Sequence, residues 1–107
     1  MPRIESIRLQ LTTGARGIEG PVTIRFNDYE CALNRISGGT APGESYEGEF
    51  FIGAATENCW LVAPADKSWD LKELTVDADH GDSTTHRILG PVSLEPGEVV
   101  DILAAAN

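Results

Sequence analysis

Apolar side chains recur at every second position through most of this chain, and that period limits what it can fold into. Ile7, Leu9 and Leu11 alternate with Arg8, Gln10 and Thr12. Val22-Thr23-Ile24-Arg25-Phe26 alternates again, and Tyr29, Cys31 and Leu33 share one face of the next segment. A two-residue period places successive side chains on opposite faces of a strand, whereas an amphipathic helix needs apolar positions at i, i+3 and i+4. No segment of helical length free of Gly and Pro carries that second pattern.

Turn chemistry falls between the alternating runs. Thr13 to Pro21 is a Gly-rich loop, and Asn27-Asp28 suits a tight hairpin because both residues tolerate left-handed backbone angles. Asn34 to Ser45 reads as an exposed loop around Gly38-Gly39 and Pro42-Gly43, and Tyr46 to Ile52 as a strand. In that strand Tyr46, Phe50 and Ile52 share one face, and Phe51 points the other way beside Glu47 and Glu49. A polar turn at Thr56-Glu57-Asn58 leads into Cys59-Trp60-Leu61-Val62-Ala63, apolar enough for a strand covered on both faces. Ala65 to Asp70 reads as a loop, Leu71 to Ala78 as a strand, and Asp77 to Asp82 as an acidic turn. Thr84 to Leu89 and Val99 to Leu103 complete the set, with Ala104 to Asn107 as a frayed tail.

About eight short strands with turn signals every ~8–12 residues predict one all-β domain, an antiparallel β-sandwich filling residues 1–107. No run approaches the ~18 apolar residues of a membrane span. The first residues lack a signal-peptide stretch, so the expected setting is cytoplasmic. Two cysteines, Cys31 and Cys59, in apolar strands then read as buried free thiols.

Seventeen acidic against eight basic residues give a formal charge of −9. Such a surface repels nucleic-acid phosphates and anionic lipid, so neither direct nucleic-acid binding nor membrane binding is expected. It suits a protein partner with a basic surface. Catalysis is not expected. The histidines are His80, in an acidic turn that is a poor setting for a neutral base, and His86, in mid-strand. Ser83 is three residues from His86, on the opposite face of a strand. No nucleophile elbow, phosphate loop or His-Glu-x-x-His motif is present.

Two sets of residues stand out as candidate sites. Asp77, Asp79 and Asp82 around Gly81 form the metal candidate, with calcium the ion that flexible oxygen-rich loops take. Asp66 and Asp70 lie at the other end of the same strand, over ~20 Å away by strand rise, and cannot share one ion with them. Phe51 and Trp69 are candidate exposed anchors for a partner, with Glu47 and Glu49 beside Phe51.

Four pieces carry a resemblance: Ile7 to Gly14, Val22 to Phe26, Gly43 to Phe50, and Ser68 to Val76. Together they resemble the β-sandwich domains shared by polycystin, lipoxygenase and α-toxin, in particular their short bacterial relatives. Such a domain opens on a strand ending in Thr-Gly, as at Thr13-Gly14, and carries a late Trp-x-Leu-x-x-x-x-Val, as at Trp69 to Val76. The resemblance implies a non-catalytic module that docks onto a membrane or a protein. This chain has Arg16 where calcium-binding members carry an acidic loop, and its charge favours the protein.

The expected function is therefore a non-catalytic binding or structural module, docking through acidic loops or a sheet edge and needing no cofactor. One alternative is a small acidic inhibitor occupying a basic nucleic-acid-binding or enzyme surface. Another is a calcium- or carbohydrate-binding sandwich.

Overall fold

The computed structural model describes residues 3–19, 21–56 and 58–102. Among them there is no helix, and so none long and apolar enough to cross a membrane. Ten strands form two antiparallel sheets: β1 (Arg3–Thr13), β2 (Thr23–Phe26), β3 (Tyr29–Ala32), β4 (Asn34–Gly38), β5 (Ser45–Ala55), β6 (Cys59–Val62), β7 (Trp69–Asp79), β8 (Thr84–Leu89), β9 (Val92–Leu94) and β10 (Val99–Asp101). The larger sheet runs β4-β5-β1-β7-β8, with β9 also on β7, and the smaller runs β10-β6-β2-β3. The all-β sandwich expected from the alternation is the observed fold. The end of the last expected strand at Leu103, the tail after it and Glu57 lie outside the described residues.

Alternation in β1 meets alternation in both neighbours, and this aligns the core. Ile7, Leu9 and Leu11 stand opposite Phe50, Gly48 and Tyr46 of β5, and opposite Ala78, Val76 and Leu74 of β7. These rows face Ile24, Cys59 and Leu61 of the smaller sheet within one buried cluster. The hairpin at Asn27-Asp28 forms as its sequence predicts, with φ of 46° and 70°.

The structure adds two strands to the expected eight. β4 occupies the start of the segment read as a loop, and all five of its residues are exposed. β9 is a three-residue strand after Gly90-Pro91. Neither has a fully buried face to impose alternation, so each is defined by its pairing with a longer strand, β5 or β7.

A register shift in β7 corrects a second expectation. Thr12 pairs with Glu73 but Thr13 with Leu71, so Lys72 is an extra residue, a β-bulge. Counting back from Leu74 and Val76 in steps of two would turn Trp69 outward. The bulge reverses the parity. Trp69 is fully buried, and its indole N–H donates to the buried Thr13 Oγ1 at 3.2 Å. It is therefore core rather than a surface anchor.

Gly48 sits where the Tyr46 ring folds back over its own strand. A Cβ on Gly48 would lie 2.6 Å from the Tyr46 hydroxyl oxygen and 2.8 Å from the ring. The ring is buried and cannot swing clear into solvent. Gly48→Ala is expected to cost about 1–3 kcal/mol through overpacking, read as a lower urea midpoint at unchanged slope. An unchanged midpoint would show that the ring yields freely.

Candidate functional site

Inward alternation in the larger sheet has an outward counterpart, and there the charge collects. One row across the strands is Ser37, Glu47, Gln10, Thr75 and Ile88; the next is Asn34, Glu49, Arg8, Asp77 and His86; a third joins Phe51, Ser6, Asp79 and Thr84. Glu73 stands opposite Thr12 beyond the first row. This face thus presents Glu47, Glu49, Glu73, Asp77 and Asp79 around Arg8, with Lys72 at the bulge at one end.

Arg8 holds two of these acids at once, with Nη2 donating to Glu49 Oε2 at 3.3 Å and Nη1 lying 3.8 Å from Glu47 Oε2. Gln10 Nε2 donates to Glu47 Oε2 at 3.2 Å. Asp77 contacts Nδ1 of His86 across the strand pair. Exposed pairs of this kind contribute about 0–1 kcal/mol each and exchange partners readily. Two shallow depressions mark the face, each of about 300 Å³. Glu47, Glu73 and Thr75 border one, and Arg8, Glu49 and Asp79 the other. Phe51 stands at the rim, 68% exposed. The opposite face of the molecule differs: there Arg25 pairs with Glu30 at 2.9 Å beside half-buried Trp60 and buried Val62.

The sequence-derived candidates divide clearly. Glu47, Glu49 and Phe51 do project together from β5. Asp77 and Asp79 belong to this same face, while Asp82 lies in the turn beyond β7. Asp79 Oδ1 accepts the Gly81 N–H at 2.8 Å, and Ser83 Oγ donates to Asp82. The turn closes on its own backbone, with His80 N–H donating to Ser83 O at 2.8 Å. Among the described residues no three His, Cys, Asp or Glu side chains are grouped to hold a metal ion, so Asp77, Asp79 and Asp82 are not assembled into one site.

Both imidazoles take part in cross-strand contacts. His80 Nδ1 donates to Arg3 O at 2.9 Å and its Nε2 meets Thr85 Oγ1, joining β1 to β8. Among the described residues neither imidazole is paired with a serine hydroxyl or a thiol. Cys59 is buried, and burial, followed by the Asp101 charge, pushes its thiol up to about 12. Cys31 is half-buried on the edge strand β3. One thiol per native chain, Cys31, is expected to react with a disulfide reagent at pH 8, and both after unfolding. Two reactive thiols in the native protein would contradict this burial.

A further ion pair escaped the sequence reading. Arg16, in the loop after β1, forks onto Asp70 at the start of β7, with Nη2 at 2.8 Å from Oδ1 and Nε at 3.0 Å from Oδ2. Backbone bonds reinforce it, Asp70 N–H to Arg16 O at 2.9 Å and Gly14 N–H to Asp70 O at 2.7 Å. The Arg16 hydrogen bonds draw the Asp70 carboxyl from its usual 3.8 to about 2. A carboxyl lowered in the native state stabilises the fold above its unfolded value, and that stability is lost as pH falls through the native one. Melting temperature should therefore drop between pH 4 and pH 2, and less so in Asp70→Asn, which starts lower. Parallel curves for the two proteins would remove this pair from acid stability.

Comparison with protein-family models, curated proteins and solved structures finds no match to this chain.

Proposed function

We propose that this protein is a non-catalytic docking module, which binds a basic protein surface through the outer face of its larger sheet. The observation that carries this reading is the collection of Glu47, Glu49, Glu73, Asp77 and Asp79 around Arg8 on one exposed face, with Phe51 68% exposed at its rim. Carboxylates fixed on strands keep a constant spacing, so a partner's Lys and Arg side chains meet a preformed pattern. Electrostatic complementarity of this kind sets encounter rate and register, and an aromatic anchor supplies apolar contact. The non-catalytic part of the reading draws on the imidazoles, whose described contacts are cross-strand. The resemblance of the sequence pieces to docking sandwiches points the same way.

The test is capture from a native cell extract by the wild-type protein and by the variants Glu47→Lys/Glu49→Lys and Phe51→Ala. The wild type should retain a basic protein that elutes between about 0.1 and 0.5 M salt, where the screening length falls toward a few ångströms. Charge reversal should weaken that retention at least tenfold, and Phe51→Ala severalfold. Equal retention by wild type and charge-reversed protein would contradict the assignment, as would a turnover activity lost on replacing His80 or His86.

A further inference from the structure

The sheets end in five edge strands among the described residues, β4, β8 and β9 of the larger sheet and β3 and β10 of the smaller, and they are not equally protected. β4 is bulged at Ile36 and closes on Gly38, whose φ is +80° and whose position has no room for a Cβ against Ser45 O. β3 and β10 are four and three residues long, and carry Glu30 and Asp101, and β9 has three residues directly after Pro91. β8 has none of these features. It stays in register with β7 along all six residues, Thr84 to Leu89, without Pro or carboxylate, and its one permanent charge, Arg87, is turned away from the edge to donate to Asp101 O at 3.4 Å. Ile88 is 64% exposed. Natural sheets normally blunt such an edge, because its unpaired backbone groups template another strand.

We propose that β8 pairs with β8 of a second copy, antiparallel about a two-fold axis through His86. The argument for a second copy is charge and register. At a net charge of −9, two copies repel, and β8 is the longest unbulged edge among the described residues and brings no carboxylate of its own to the contact. Directly opposed residues in an antiparallel pair share a face. Thr84, His86 and Ile88 face outward while Thr85 and Arg87 face inward, so outward must meet outward. Centring on His86 sets Thr84 against Ile88, Thr85 against Arg87, and His86 against its twin. Moving the axis one residue to Arg87 sets guanidinium against guanidinium, a destabilising like-charge pair. Moving it to Thr85 carries Arg87 beyond the strand's end, opposite Ser83. The favoured register also brings the partner's Thr85 to Arg87, whose Nε is buried without an acceptor among the described residues.

The resulting continuous sheet would lay the two acidic faces side by side. A ladder of five residue pairs buries far less than the ~800 Å² per partner of a standard interface, so the dimer is weak and concentration-dependent.

Sedimentation equilibrium between about 10 µM and 1 mM tests the association. The average mass should climb from 11.5 kDa toward twice that value. Register is tested by His86→Cys and Thr84→Cys, each with Cys31→Ser, under oxidised glutathione. Opposed Cα atoms ~4.5–5.5 Å apart suit a disulfide, whereas Thr84 lies roughly four residues along the strand from its twin. The His86→Cys protein should therefore form the covalent dimer at least tenfold faster than the Thr84→Cys protein. A monomer throughout the range overturns the proposal and leaves the edge to a strand of another protein, and equal cross-linking rates overturn the register. Glu47→Lys/Glu49→Lys should leave the dimer intact, which separates failure of self-pairing from failure of the docking face.

Discussion

The meeting of β1 with β5 and β7 is the constraint on which the rest of the structure depends. Leu9 is fully buried, between Gly48 and Val76, and one residue away Arg8 lies between Glu49 and Asp77. Because side-chain direction reverses at each step, the register that buries one row exposes the other. A slip of one residue would turn Ile7, Leu9 and Leu11 to water and drive Arg8 and the facing acids into the core. Core and charged face are thus two consequences of a single alignment. The charged outer face inherits its spacing from the packing beneath it.

Two local devices protect that alignment. Gly48 leaves room on β5 for the Tyr46 ring, so a large aromatic fits on the buried side without prying β5 from β1. Lys72 bulges from β7 and returns Trp69 and Leu71 to the interior, where the indole finds Thr13. Arg16 and Asp70 then tie the loop leaving β1 to the start of β7, close to that bulge. A forked ion pair and a buried side-chain hydrogen bond thus gather where the alternation is broken.

What the sequence made legible follows from the same physics. Strands with one face on the core carry their own signature, so β1, β2, β5 and β7 could be read directly, as could the Asn27-Asp28 turn. β4 could not, since Asn34 to Gly38 are exposed on both sides and the Gly38-Gly39 pair at their end resembles a loop. Trp69 was misplaced because Ala65 to Asp70 reads as a loop, and the bulge at Lys72 hides from a two-residue count that Trp69 continues the buried face of β7. The side-by-side placement of Glu47, Glu49 and Phe51 was visible as spacing within one strand. That Asp77 and Asp79 join them was not, because it depends on β7 pairing with β1 from far along the chain. Arg16 and Asp70 were hidden for the same reason, being 54 residues apart.

Amide hydrogen exchange in the native protein tests the central alignment most directly. The amides of Ile7 to Leu11 and of Leu74 to Val76 should exchange only through global unfolding, while those of β4 exchange through local opening with far lower protection. Protection in β1 no greater than in β4 would contradict the account, because the register that separates the buried row from the charged one would then not be held.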